Sequence, residues 1–193
     1  MREGLMILVK AMESSKATFV KSDFLPIDEQ GKQVFINKKQ VIRRRYDGKV
    51  MDSEKFFKKI LMKEYFLWTC LFRKDIIVKN HIQFIPHCRL MEDAAFLADY
   101  LLYSDRNVYK DACVYGYRKY EGTVSAVNKD YTEDMMMVLK HTGRHKANLM
   151  MLLNSQMQKK HNQKYGSWWL RNTLKIENLF SRFYLLFKYQ IEK

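Results

Sequence analysis

"RLMEDAAFLADYLLYSDRNVYKDACVYGYRKYEGTVSA", from Arg89 to Ala126, is the stretch whose reading decides the fold. An acidic pair, Glu92 and Asp93, opens an apolar run in which Phe96, Leu97, Tyr100 and Leu101 recur at helical spacing. The period then drops to two. "NVYKDACVYGYRKY" alternates as a strand does, which puts Tyr115 and Tyr117 on one face and Arg118 on the other. Two readings of Asp93 stand at this point. It can accept backbone N–H groups from a helix beginning near Ala94, where the helix dipole favours negative charge and lowers the carboxylate pKa. It can also be a carboxylate held at a cleft to take a proton.

Working upstream, "GLMILVKAMESS" predicts a helix, with Leu5, Leu8 and Met12 at helical spacing. "ATFVKSDFLPIDEQGKQVFIN" predicts a strand to about Leu25, a turn at Asp28 to Gly31 and a second strand at Gln33 to Ile36. "KKQVIRRRYDGKV" is basic and turn-bearing and reads as an exposed loop. "DSEKFFKKILMKEYF" reads as a helix capped by Asp52 or Ser53. "WTCLFRKDIIVKNHIQFIP" reads as a short strand, a helix from about Lys74 and another strand ending at Pro86. From Asp130 onward two or three helices are expected, with a break in the polar stretch Asn154 to Gly166. The order predicts an α/β fold, a mixed sheet flanked by helices with an α-helical C-terminal extension. Its two parts are residues 1–128 and a basic helical segment, 129–193.

Composition bounds the rest. A chain of 193 residues with 47% hydrophobic and 29% charged residues is globular rather than disordered. The cysteines, Cys70, Cys88 and Cys113, are scattered and include no CxxC pair, which fits a reducing compartment. "MREGLMILVKAMESS" is not a signal peptide, and no apolar stretch reaches the roughly 18 residues of a membrane span. A cytoplasmic location is the expectation. From Met135 to Lys193 there are 11 Lys and Arg against 2 Glu, so this third carries most of the net charge of +14. An anionic partner follows: phospholipid, nucleic acid or a phosphorylated substrate. Nucleic acid is the weakest of these, because no nucleic-acid motif is present and the first two-thirds is nearly balanced in charge.

The order "FLWTCLFRKD", "IQF", "ED" opening a helix and "YGYRKYEGTVS" resembles the second half of a family 2 glycosyltransferase with the GT-A fold. "ATFVKSDFLPIDEQGK" resembles that family's preceding strand and turn, so the likeness runs from about Leu5 to Ala126. It implies transfer of a sugar from a nucleotide-sugar to a glycan or lipid-linked acceptor, in bacterial surface polysaccharide assembly. It gives Asp93 the role of general base and Glu92 that of a neighbour shaping the site. Trp68 would line the acceptor pocket or pack in the core; Arg118 or Lys119 would meet the donor phosphate or lie solvated on an edge strand, and Tyr115 and Tyr117 would stack on a sugar or pack in the core. In that family an Asp-x-Asp motif in the N-terminal half holds a divalent metal, Mg or Mn, against the diphosphate. The sequence has no Asp-x-Asp. No cofactor is expected in this chain, which resembles the acceptor half alone.

The remaining constellations are weaker. His87 and Cys88 adjoin, but no second pair sits at zinc spacing, and His141 and His145 share a helix face without the Glu of a zinc-protease motif. No metal site is expected from either. In "SWWLRNTLKIENLFSRFYLLFKYQIEK", Trp169, Ile176, Phe180, Phe183 and Phe187 form one stripe, with Arg171, Lys175 and Arg182 opposite. Such a helix either docks on the domain or lies on an anionic membrane, with Trp168 and Trp169 at headgroup depth. The second arrangement would hold the protein peripherally at the inner face of the membrane.

Overall fold

The computed structural model describes residues 3–34, 38–118, 132–143 and 148–165. Helix α1 (Gly4–Ser15) leads into strand β1 (Phe19–Ile27). Helix α2 (Lys38–Arg43), strand β2 (Val50–Met51) and helix α3 (Ser53–Phe56) follow, α3 continuing as a π-helical turn over Phe57–Leu61. Strand β3 (Cys70–Phe72), helices α4 (Lys74–Lys79) and α5 (Glu92–Leu101) and strand β4 (Asn107–Arg118) complete the sheet region. Helices α6 (Thr132–Thr142) and α7 (Asn148–Tyr165) come last.

The sheet is mixed, in the order β2-β4-β1-β3. β1 pairs parallel with β4, from Phe19 opposite Asn107 to Ile27 opposite Arg118, and antiparallel with β3. A parallel pair needs a long crossover, and the helices between β1 and β4 supply it. This is the expected α/β layout of a mixed sheet flanked by helices. α1 lies on the sheet so closely that a Cβ on Gly4 would stand 2.5 Å from the carbonyl oxygen of Val114, so only glycine fits there. On the other side α5 is buried through Ala94, Ala95, Phe96, Leu97, Ala98, Tyr100 and Leu101. Its Tyr100 ring meets Phe72 at 4.9 Å and Phe19 at 5.7 Å. The Tyr100 hydroxyl donates to the carbonyl of Thr18 at 2.6 Å, tying the helix to the start of β1. Residues of this size each contribute about 1.5–3 kcal/mol on burial, so α5 anchors the core and its first turn inherits that rigidity.

The central strand β1 carries three polar residues that are fully buried, Lys21, Ser22 and Asp23, where its register with β4 shifts. Each is satisfied. Lys21 Nζ donates to Thr69 Oγ1 at 2.8 Å, and Ser22 Oγ donates to the Thr69 carbonyl at 3.1 Å. Asp23 accepts from Arg43 Nη1 at 2.6 Å and from the Tyr109 hydroxyl at 2.5 Å. Arg43 also donates to the Ile60 carbonyl and, through Nη2, to Glu64 Oε2, each at 2.6 Å.

Four local expectations are corrected. The basic segment "KKQVIRRRYDGKV" is not an exposed loop: it forms α2, and Arg43 is wholly buried because two carboxylates and a carbonyl receive its guanidinium. "IQFIP" is not a strand, for after α4 the chain turns with His81 in the left-handed region at φ 52° and runs on without pairing. Gln33 forms an isolated bridge to Ile27 rather than part of a strand, and residues 35–37 lie outside the described residues. The break expected between Asn154 and Gly166 is absent as far as Tyr165: α7 is continuous, because Met150, Leu153 and Met157 keep a buried helical stripe through the polar stretch.

Candidate functional site

The chain enters α5 through Met91, which holds φ 73° in the left-handed region and makes no side-chain cap. A non-glycine residue there is strained and persists only where its surroundings demand it. The reversal brings the helix start back to Glu92, two residues before the expected position. Asp93 therefore sits inside the first turn and is not the residue that caps it. The amides of Ala94 and Ala95 bond instead to the Met91 carbonyl, at 3.1 and 3.4 Å.

Glu92 and Asp93 line a cavity of about 440 Å³, within the size range of ordinary ligand sites. The loop before β3 contributes Lys63, Tyr65 and Phe66 to its wall. The approach to α5 adds Leu90 and Met91, and α7 closes the cavity with Gln156, Met157, Lys159 and Lys160. The Tyr65 hydroxyl donates to Gln156 Oε1, linking two walls across the space, and burial raises the Tyr65 pKa. The wall thus unites elements more than 60 residues apart in sequence.

Burial is the main influence on Asp93. Together with the Glu92 charge it pushes the carboxyl up to about 6, against a smaller lowering by the Leu67 amide. The lowering expected from the helix N-terminus is overridden. Glu92 is also raised, by burial first and by Asp134 on α6, while its own backbone amide acts to lower it. Asp134 is fully buried, with Oδ1 accepting from the Arg89 amide at 2.7 Å. Burial lifts the Cys88 thiol to about 11, and its Sγ faces the carbonyls of Leu90 at 3.3 Å and Asp134 at 3.7 Å, so it is a packed, protonated group.

The other anticipated residues fall into three groups. Trp68 does not line the cavity: it lies in an aromatic cluster beside it. Its ring stacks on Phe66 at 5.0 Å and on Tyr117 at 5.3 Å, and meets Tyr115 at 4.6 Å. Tyr115 and Tyr117 therefore share a face, as the alternation predicts. Among the described residues Phe66 is the ring common to cavity and cluster. Arg118 is exposed at the end of β4. Lys119, Trp168, Trp169, Arg171, Lys175 and Arg182 lie outside the described residues.

Sequence reasoning missed Lys63, Tyr65, Gln156, Lys159 and Lys160. The α7 residues had a signal: the spacing of Met150, Leu153 and Met157 carries the helix through "NSQMQKK" and sets Gln156 and Lys160 four residues apart on one face. Lys63, at φ 68°, had none. Among the described residues no group of three or more His, Cys, Asp or Glu side chains is disposed to hold a metal ion. His141 instead pairs with Asp99 at 2.8 Å, and His145 lies outside the described residues. Among the described residues a divalent cation has no fitting donor set. No described helix is long and apolar enough to cross a membrane.

No protein-family model matches the chain, and no curated protein matches its sequence. It is similar to solved structures of S. aureus TarS, residues 1–349. Against the complex with UDP-GlcNAc the TM-score is 0.59 at 15% identity, over 84% of this chain and 45% of that one. Against the complex with UDP it is 0.55 at 12% identity, over 82% and 43%. Against TarS 1–349 described without a ligand it is 0.52 at 13% identity, over 84% and 43%. At such identities the likeness is one of fold. The chain has a glycosyltransferase-like fold and spans less than half the length of the structures it matches.

Proposed function

We propose that this chain is the acceptor-side half of an inverting glycosyltransferase of family 2 and the GT-A type. It would transfer a sugar from a nucleotide-sugar to a glycan or lipid-linked acceptor in bacterial surface polysaccharide assembly. The observation that carries the reading is a half-buried aspartate, Asp93, in the wall of a sugar-sized cavity, with its pKa raised to about 6. Such a carboxyl is about nine-tenths ionised at pH 7 yet a stronger base than an ordinary aspartate. An acceptor hydroxyl in the cavity gives its proton to Asp93 as its oxygen attacks the anomeric carbon, and the nucleoside diphosphate leaves from the opposite face. Glu92, beside it, keeps the pKa high. The Phe66–Trp68–Tyr117 stack is an apolar platform for a sugar at the cavity's edge, and Arg118 is a cation within reach of phosphate on the same strand end.

TarS crystallises with UDP-GlcNAc and with UDP, which supports a nucleotide-sugar as donor. Most donor-binding groups, including any Asp-x-Asp and its Mg or Mn, belong on this reading to a second half. Residues 1–128 form the transferase part and 129–193 the basic helical extension. Trp168, Trp169, Arg171, Lys175 and Arg182 of that extension would hold the protein at the inner, cytoplasmic face of the membrane. Co-sedimentation with anionic liposomes that is unchanged by removal of residues 165–193 would sink the membrane assignment.

The test of the reaction uses the protein as the cell makes it, a panel of labelled nucleotide-sugars including UDP-GlcNAc, and the cell's own glycan fraction as acceptor. Transfer is expected, and Asp93→Asn is expected to abolish it without unfolding the chain. Turnover near that of the unaltered protein in the Asn variant would remove Asp93 from its role.

A further inference from the structure

We infer that Lys21, Ser22 and Thr69 are positioning residues: together they orient the peptide between Phe66 and Leu67, whose amide meets the Asp93 carboxylate. The inference rests on the reading above for what Asp93 does, and adds to it what holds the surroundings of Asp93 in place.

The loop before β3 ends in a single 3-10 turn, Leu67–Thr69, entered from Phe66 without a side-chain cap. Its own bond, from the Thr69 amide to the Phe66 carbonyl, is long at 3.5 Å. Side chains supply what the turn lacks. Thr69 Oγ1 donates to the same carbonyl at 2.9 Å, and Cys70 Sγ lies 3.3 Å from it. Thr69 is held in turn from β1. Lys21 Nζ donates to its Oγ1 at 2.8 Å, and Ser22 Oγ donates to its carbonyl at 3.1 Å. All three residues are fully buried. A peptide is planar and trans, so its C=O and N–H point in opposite directions. Bonds that draw the Phe66 carbonyl toward Thr69 therefore aim the Leu67 amide the other way, and that amide is the one that meets Asp93. The Phe66 ring in the cavity wall and the Trp68 ring in the aromatic cluster ride on the same turn.

The simpler account is that Lys21 only fills the core, and its chemistry argues against that. Arg43 meets two carboxylates. Lys21 Nζ bonds instead to neutral oxygens, Thr69 Oγ1 and the Ser22 carbonyl at 3.4 Å, and burial pulls its pKa down. A buried ammonium so placed destabilises the fold relative to an apolar residue of its size, and it persists where the bond it makes is needed. Cys70 stands within reach of both ends of this arrangement. Burial chiefly holds its thiol up, while Lys21 acts to lower it and Asp93 to raise it.

The test is NMR on the full chain from acid to neutral pH, and it needs no turnover. The side-chain carboxyl of Asp93 is assigned by its loss in Asp93→Asn. In the unaltered protein the Leu67 amide proton is expected to follow the same titration, near pH 6. Ser22→Ala and Thr69→Val should uncouple that amide and let Asp93 titrate higher, by about 0.5–1 in pKa, because a donor that favours the carboxylate has moved away. Thr69→Ser, which keeps the hydroxyl, should restore both signatures. Lys21→Met should match Thr69→Val, and the two together should do no more than either, since both act through one bond. The titratable and charged groups around Asp93 are Glu92, Cys70, Tyr65, Lys63, Lys159 and Lys160, and those around Lys21 are Cys70, Arg43, Asp23 and Glu64; every variant leaves them in the sequence. Met51→Ala, in the core at the opposite edge strand, should lower stability and leave the Asp93 titration where it was. A Leu67 amide that ignores Asp93 in the unaltered protein would overturn the inference. So would an Asp93 titration unmoved by Ser22→Ala and Thr69→Val, or one moved as far by Met51→Ala. If Thr69→Val does not fold, Ser22→Ala decides alone. A coupled amide in a chain that transfers no sugar keeps the inference and removes the transferase reading, whereas an active chain whose Asp93 titration ignores these variants does the reverse.

Discussion

Two sets of buried or half-buried carboxylates stand in this molecule, and they are built differently. Asp23 and Glu64 meet the guanidinium of Arg43, itself wholly buried, and almost every polar atom of that cluster has a partner. Glu92 and Asp93 are also withdrawn from water, but their neighbours are each other, Asp134 and an amide, and both have raised pKa values. A paired buried charge serves the fold. An unpaired one is destabilising and persists where something else requires it. The contrast, more than any motif, is what supports the proposed placing of the reaction at the start of α5.

The sharpest way to break the comparison is Arg43→Ala. It would take from the buried Asp23 carboxylate the guanidinium 2.6 Å away and leave Glu64 with Lys39 alone of the two cations it meets, and a loss of about 3–5 kcal/mol in urea unfolding is expected. A loss below 1 kcal/mol would show that the cluster is not what separates the two regions. Next is Asp93→Asn, for which transfer should fall by about 100-fold or more while the urea midpoint does not fall.

The third test works through pH. Asp93 has its folded pKa raised to about 6 from an ordinary 3.8, so its ionisation disfavours the folded state. The penalty is absent below about pH 4, grows as pH rises toward 6 and is complete above it. Asp93→Asn should therefore be more stable than the unaltered chain at pH 7.5, and the gap should close by pH 4. Thermal melts across that range check it. Activity, which needs the ionised base, should be lost as pH falls through about 6 rather than through 4. The groups around the carboxylate are Glu92, Cys70, Tyr65, Lys63, Lys159 and Lys160, and a second step in the profile would belong to one of these. The mildest change is Tyr65→Phe, which removes the hydroxyl's bond to Gln156. About 1 kcal/mol of stability in urea unfolding should go.

Much of the architecture was legible in the sequence because it is local. The 3.6 period of "DAAFLADYL", the alternation of "NVYKDACVYGYR" and the cap at Asp52, whose carboxylate accepts from the Lys55 amide at 2.8 Å, each depend on residues within one turn or one strand. The misreadings share a cause. Arg43 looked solvated because an arginine-rich run usually is, and nothing near it in sequence announces Asp23 or Glu64, which lie 20 and 21 residues away in opposite directions. Asp93 looked like a cap because the turn at Met91 depends on packing, not on a glycine.

What the sequence determined by itself is the order of elements, the α/β class and the acidic pair at the head of a helix, since periodicity and capping act over a few bonds. Only the tertiary structure decided that α7 folds back to close a cavity over that pair and that Asp93 is a raised rather than a lowered acid. Burial and charge depend on what comes near in space, and the residues that come near Asp93 stand up to 67 positions away along the chain.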